Sequence, residues 1–305
     1  QYRLRNSNQT SPSVAWYSGA NGNYIDRWSS SLANSQVAWY FIVAPGSEGY
    51  YFEMLLPTVK LKLADKIAAA RLVISNSSIG EEPGQFTAQA QADLTEVIET
   101  AQIIHDTEPS IAAFQIAMSE LSTAVSTYLS TANVPVLSDN TNTHWYFLQG
   151  TRPANTYMTF MGEGANILSK TVIPDDTQLW KFVANPSGTA NGIMMVNKAS
   201  GQYLNADAAY NTAVTTSPVI PQNNLRFIVS DLITDQRARF WIENVLGAEP
   251  AFRLHSGNSY VMNWNGNAYD NSSWLIYDYQ VALVKFLNES ITKAQTLLDN
   301  TVEGN

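Results

Sequence analysis

Gln178-Leu179-Trp180-Lys181-Phe182-Val183, Asn224-Leu225-Arg226-Phe227-Ile228-Val229 and Ser272-Ser273-Trp274-Leu275-Ile276-Tyr277 are three versions of one segment. Their aromatics Trp180, Phe227 and Trp274 stand 47 residues apart in both intervals (227 − 180 and 274 − 227). From Trp145 to about Val284 hydrophobicity alternates with period two, the pattern of half-buried strands. Each third of this stretch has an opening strand, a Gly/Asn turn, a strand bearing Tyr or Phe, and one of the quoted closers. Three similar units at equal spacing predict a pseudo-threefold β barrel. Trp180, Trp274 and Trp39 are expected in cores, Tyr203 and Tyr260 are expected to face the barrel core, and the Trp241 strand is expected to be packed.

Upstream the period changes. Apolar residues fall at Leu63, Ile67, Ala70 and Ile74, then at Ala90, Leu94, Val97, Ala101 and Ile104, then at Ile111, Phe114, Met118, Leu121, Val125 and Tyr128. Steps of three and four residues describe amphipathic helices. Three such helices predict an up-down-up bundle over 57–132, since none can bury its stripe alone. Thr107 and Pro109 stand where an N-cap and a first-turn proline belong. Asn133 to Asn142 reads as a linker, and the β region follows over 143–284.

The chain also echoes itself out of phase. Ile291, Ala294 and Leu297 to Gly304 repeat Ile67, Ala70 and Val73 to Gly80 at an offset of 224 (291 − 67). Gly22 to Trp28 returns as Gly257 to Trp264, starting at an offset of 235 (257 − 22). Residues 1–56 are therefore expected to be a partial β module like the end of the 143–284 region, with a hairpin-like stretch from Pro45 to Phe52. Residues 285–305 are expected to be a helix opening a second bundle. The predicted fold class is multidomain α and β, with strand edges in 1–56 that the bundle, the extra hairpin or self-association with another chain must cover.

Composition narrows the function. The formal net charge is −9, only 14% of residues are charged, and no basic cluster is present. Phosphate-rich partners need Lys and Arg to neutralise them, so neither nucleic acid nor an anionic membrane is an expected partner. Cysteine is absent, which removes disulfides, thiolate metal sites and Cys nucleophiles. No segment approaches the roughly 18–20 apolar residues of a membrane span, so no membrane insertion is expected. No signal peptide is visible, and the sequence reads as a mature or excised piece of an exported bacterial protein, extracellular or at the cell surface.

Catalytic patterns are sparse. His105, His144 and His255 lie in three different segments without metal-ligand spacing, and no Gly-x-Ser-x-Gly elbow occurs. Glu81-Glu82 and Asp175-Asp176 are adjacent pairs in turn-rich loops, the places of solvation and capping. Gly162-x-Gly164 is a hairpin signal without the following helix that a phosphate loop needs. No metal, cofactor or catalytic residue is expected.

Sugar recognition is the chemistry the residues can carry. A pyranose face is apolar and stacks on an exposed ring, while its hydroxyls pair with amides and carboxylates at the rim. Asn263-Trp264-Asn265-Gly266-Asn267-Ala268-Tyr269-Asp270 offers both on a turn. Trp264 is the expected stacking ring, with Asn263, Asn265, Tyr269 and Asp270 beside it. Asp207 and Tyr210 form a similar set in the middle repeat, and Asp26 and Trp28 echo it near the start.

The closers resemble the Gln-x-Trp signature of ricin-type β-trefoil lectin domains, met literally at Gln178 and Trp180 and approximately at Phe227 and Trp274. That resemblance implies an aromatic packed in the centre and a polar residue tying down a loop. Ile67 to Ile74, the Gly80 to Phe86 loop and the Ala117 to Tyr128 stripe look like FIVAR-type three-helix bundles. The combination resembles exported multidomain proteins of Bacteroidetes, in which such bundles are spacers. The implied function is non-catalytic carbohydrate binding and spacing, with glycans or glycoproteins as partners. The alternatives are a purely structural stalk or adhesin segment, and an accessory part of a carbohydrate-active enzyme, which would bring two carboxylates together in a cleft.

Overall fold

The computed structural model describes residues 14–18, 25–29, 48–107, 110–150, 155–186, 192–207, 210–222, 224–244, 252–257, 260–264 and 270–302. The chain divides into two compact units, Gln1–Lys60 and Leu61–Asn305. In the first, β1 (Val14–Ser18) pairs antiparallel with β2 (Ile25–Ser29). The expected strand over Val37 to Val43, with Trp39, lies outside the described residues.

Helix α1 covers Glu48–Ser75 and contains Pro57 in its interior. This corrects the expectation of β structure to residue 56 and of a turn through Phe52. A proline in the first helical turn and one inside a helix leave the same apolar stripe downstream, so the stripe alone misplaced the start. Helices α2 (Ala88–Thr107) and α3 (Ile111–Ser130) follow. The N-cap of α3 is Ser110, whose Oγ accepts from the Ala113 N–H at 3.1 Å, not Thr107, which ends α2. Leu63, Ile67 and Ala70 of α1 are buried, as are Leu94, Ile98 and Ala101 of α2 and Phe114, Ala117, Leu121 and Tyr128 of α3. Phe86, in the loop before α2, stacks on Tyr128 at 4.3 Å and closes one end.

The second half of the chain is β. Its strands are β3 (Tyr146–Gly150), β4 (Thr156–Thr159), β5 (Leu168–Thr171), β6 (Trp180–Ala184), β7 (Ile193–Asn197) and β8 (Tyr203–Asn205). They continue as β9 (Thr215–Ser217), β10 (Leu225–Thr234), β11 (Arg237–Asn244), β12 (Phe252–Ser256), β13 (Val261–Trp264) and β14 (Ser273–Asp278). Antiparallel pairings run β3–β6–β7–β10–β11–β14 and return to β3, which closes a ring. The pairs β4–β5, β8–β9 and β12–β13 form three further hairpins. A closed barrel with three hairpins, built from three four-strand units, is a β-trefoil. Closure leaves the ring without an edge strand.

The symmetry extends to the core. Tyr146, Leu148, Met158, Ile167, Trp180 and Phe182 come from the first unit, and Ile193, Met195, Leu204, Val214, Phe227 and Val229 from the second. Phe240, Ile242, Leu254, Val261, Trp274 and Ile276 complete it. Three backbone hydrogen bonds join the hairpins in a cycle: Ile167 N–H to Val214 O (2.9 Å), Val214 N–H to Val261 O (2.9 Å), and Val261 N–H to Ile167 O (2.8 Å). The indoles are anchored alike, Trp180 Nε1 donating to Met158 O at 2.9 Å and Trp274 Nε1 to Leu254 O at 2.8 Å. Gln178, fully buried, accepts from the Ile173 N–H and donates to Thr171 O and Thr159 Oγ1, fixing the loop between β5 and β6. One correction concerns Tyr203 and Tyr260. Their neighbours Leu204 and Val261 enter the core, and alternation along the strand puts both tyrosines, half-buried, on the other face.

The β10–β11 turn meets the bundle. Asp235 and Gln236 both have positive φ (55° and 59°), the conformation of a tight hairpin turn. Gln236 O accepts from the Ser78 N–H at 2.9 Å, Arg237 Nη1 donates to Pro83 O at 3.1 Å, and the Ala238 N–H donates to Gly84 O at 2.8 Å. Gly84 has φ +80°, and a Cβ there would lie 2.5 Å from Ala238 O. Helix α4 (Tyr279–Val302) leaves β14 directly. Its Ala282 and Phe286 pack on Phe147, Tyr157, Leu275 and Tyr277. Lys285 Nζ and the Tyr277 hydroxyl both donate to Asp235 Oδ2 of the same turn.

Two expectations follow. Trp180→Phe removes the indole N–H that bonds the Met158 carbonyl and leaves a smaller ring in a fully buried site, so chemical denaturation should show a loss of at least about 1–3 kcal/mol. Gly84→Ala should loosen the loop against β11, and hydrogen exchange should report this as faster exchange of the Ala238 amide in a chain whose trefoil core stays protected.

Candidate functional site

The expected stacking ring, Trp264, ends β13 opposite Arg253 of β12. The same ladder position is Lys170 opposite Tyr157 in the first unit and Ser217 opposite Tyr203 in the second. An aromatic stands there in the third unit alone, so the threefold core carries one aromatic surface of this type.

Trp264 is half-buried, with its ring 5.3 Å from His255 at 27° and 5.0 Å from Tyr210 at 43°. Tyr210 is the outer member, 44% exposed, and lies 6.5 Å from the ring of Phe252. Its loop, between β8 and β9, is tied to β13 by the backbone. Asn211 N–H donates to Asn263 O at 2.8 Å, and Asn263 N–H to Thr212 O at 3.0 Å. Two separately proposed sets, Trp264 and Tyr210, thus meet in one aromatic ledge across a boundary between units. Trp264 forms its floor and Tyr210 its exposed ring.

Asn263 has another position than the rim. It is fully buried, and its Nδ2 donates to Ala206 O at 2.8 Å, which binds β13 to the start of the Tyr210 loop. An asparagine in a polar turn sequence suggests exposure, but alternation turns residue 263 inward next to Trp264. Asp207 is exposed in the same loop, its Oδ2 accepting from the Gln222 N–H at 3.0 Å. Asn265 and Tyr269 lie outside the described residues. Asp270 belongs to the short 3-10 turn Asp270–Ser272, with its side chain outside them. Asp26 and Trp28 lie in β2, their side chains likewise outside.

Two participants were not foreseen as site residues. His255 carries the floor of the ledge, and its Nδ1 is 3.0 Å from Ser272 Oγ. Burial pulls its pKa below the usual histidine value. Arg253 lies over the Trp241 ring at 3.8 Å and bonds Glu243 Oε1 at 2.8 Å, while Arg226 holds the other oxygen of Glu243 at 2.9 Å. Alternation in β12 puts Arg253 and His255 on one face of the strand, but nothing in the sequence pairs Arg253 with Trp241. The Trp264 Nε1 is buried, and no described residue accepts from it.

No group of three His, Asp or Glu among the described residues could hold a metal ion, and no helix there is long and apolar enough to cross a membrane. Glu82 and Asp278 approach each other at the bundle–trefoil junction, where burial and Asp278 raise the Glu82 pKa. Asp278 Oδ1 accepts from the Gln280 N–H at 2.9 Å, the work of a helix cap at the start of α4.

No family model matches the chain, and no curated protein matches it. Among solved structures it is similar to the Rhizoctonia solani agglutinin (22% identity, 48% of this chain and 99% of that one, TM-score 0.37). It is also similar to ThreeFoil, a designed three-fold symmetric protein (17%, 44% and 98%, TM-score 0.35). A third is the Polyporus squamosus lectin bound to the epitope Neu5Aca2-6Galb1-4GlcNAc (19%, 44% and 49%, TM-score 0.35).

The lowered pKa of His255 sets a pH dependence. The unfolded chain takes up its proton at the ordinary value of about 6.5, the folded chain only at lower pH. The stability of the neutral buried ring is therefore complete above about pH 6.5 and lost as pH falls through the lower folded value. Thermal melts should show the decline, and His255→Phe should flatten that part of the profile.

Proposed function

We propose that the trefoil is a lectin-like, non-catalytic carbohydrate-binding module that takes a pyranose on the Tyr210–Trp264 ledge. The observation that carries this reading is the 44% exposure of Tyr210 on top of a ring stack that holds it in place. An exposed, pre-positioned ring offers an apolar sugar face a platform at little entropic cost. Asp207, three residues before Tyr210, is an acceptor for sugar hydroxyls in the same loop, and Asn265, Tyr269 and Asp270 follow Trp264 in sequence. Asn263 supports the ledge from inside. Because Lys170 and Ser217 replace Trp264 in the other units, we assign one such site rather than three.

We further read the helical bundle as a FIVAR-like spacer, in an exported or cell-surface bacterial protein whose other parts set the target. The acidic, cysteine-free composition fits that setting, and the inner faces of α1, α2 and α3 are filled with apolar side chains.

A glycan array probed with the purified chain, beside Tyr210→Ala, tests the site. Wild-type binding weakened by about tenfold or more in Tyr210→Ala is the expected result. Absence of wild-type binding, or equal binding by a folded Tyr210→Ala, would remove the assignment.

A further inference from the structure

Beyond its first two turns, helix α4 carries an apolar stripe whose described side chains are exposed. Ala282 and Phe286 are buried against the trefoil, but Leu287, Ile291 and Leu298 are 60%, 57% and 57% exposed, and every residue from 287 to 300 is exposed. Leu287, Ile291, Ala294 and Leu298 follow one another at steps of 4, 3 and 4, a single helix face. Exposed aliphatic stripes of this length mark interaction surfaces.

The chain itself shows what covers such a face. At the offset of 224, Leu287, Ile291, Ala294 and Leu298 correspond to Leu63, Ile67, Ala70 and Ile74 of α1, with identity at the first three. In α1 those three are 0%, 3% and 1% exposed. The rim of that contact is polar, with Lys66 Nζ donating to Ser122 Oγ of α3 at 2.8 Å and Arg71 Nη2 to Gln102 Oε1 of α2 at 3.2 Å. The same positions in α4 are Ser290 and Gln295, so its rim keeps hydrogen-bonding groups and loses the charges.

We infer that the exposed face of α4 docks a helical hairpin of the α2–α3 kind, two antiparallel amphipathic helices with Leu, Ile, Ala and Phe on their inner faces. The occupant completes a three-helix bundle on α4 as α2 and α3 do on α1. Apolar burial supplies the affinity. This inference is independent of the sugar site.

The test uses the full chain and, as probe, a fluorescent peptide spanning residues 85–132 of this sequence. Anisotropy titrations are run on the wild type, Ile291→Asp and Ile291→Leu, with circular dichroism to confirm that folding is unchanged at this exposed position. Saturable binding to the wild type and Ile291→Leu, weakened about tenfold or more by Ile291→Asp, is expected. Equal binding to Ile291→Asp would mean that the probe enters elsewhere, its own bundle included, and would overturn the inference. Failure of the wild type to bind would do the same. So would a wild-type dimer in sedimentation that Ile291→Asp dissolves, since a second copy would then be the occupant.

Discussion

The cycle of backbone hydrogen bonds through Ile167, Val214 and Val261 is the constraint from which the β half of this molecule follows. Each of these residues is a donor to one unit and an acceptor from another, so no hairpin can take its place without the other two. The side chains of the same residues fill the middle of the core, which couples hydrogen bonding to packing at one layer. The loops beside this layer inherit its precision. Asn211 and Thr212 lie just before Val214, Asn263 just after Val261, and their mutual hydrogen bonds bring Tyr210 to Trp264. The ledge is held by contacts that adjoin those joining the hairpins, an arrangement that suits a binding surface needing little reorganisation.

Symmetry governs the interior and stops at the surface. The core columns Tyr146/Ile193/Phe240 and Leu148/Met195/Ile242 stay apolar in all three units, because each must fill its share of one cavity. The ladder position of Trp264 faces no such demand and is Lys170 or Ser217 elsewhere. The Arg226–Glu243–Arg253 group is also confined to one region, around β10 to β12. Glu243 is only 5% exposed, and its two arginine partners supply what water would otherwise give. Removing either partner would leave that carboxylate poorly compensated, a larger cost than any net gain from the pair itself. Specific chemistry in this trefoil therefore has to be sought where the units differ.

What could be read from the sequence was what periodicity controls. The 47-residue spacing of Trp180, Phe227 and Trp274 repeats in the core columns, and the stripe of α3 named Phe114, Leu121 and Tyr128 among its buried residues. Gln178 also binds its loop as the resemblance implied. Other readings failed for local reasons. Pro57 looked like a helix start, but its one missing N–H is absorbed inside a 28-residue helix. Asn263 looked exposed because it opens the Asn-rich stretch that runs to Asp270, yet strand alternation turned it inward. Tyr203 and Tyr260 looked like core residues at a strand position shared by the repeats, and the same alternation turned them outward. The partnership of Trp264 with Tyr210 had no signal at all, since it joins residues 54 positions apart in different units (264 − 210).

The β10–β11 turn explains why bundle, trefoil and α4 meet at one place. Asp235 and Gln236 adopt the left-handed conformation at a cost in backbone strain that the turn must recover through its contacts. Gln236 and Arg237 reach the loop that precedes α2, whereas Asp235 accepts from Tyr277 and Lys285 at the base of α4. Burial alone would raise the Asp235 pKa, but its bonds to Lys285 and Tyr277 outweigh that and hold it below the ordinary carboxylate value. The carboxylate thus stays ionised at the position where Lys285 needs a counter-charge. The base of α4 is fixed by this charge and by the Phe286 contacts, and the exposed stripe begins at the next residue, Leu287. A helix rigidly anchored at one end and bare along one apolar face is pre-organised for a partner, since the entropy of orienting it is already spent in folding.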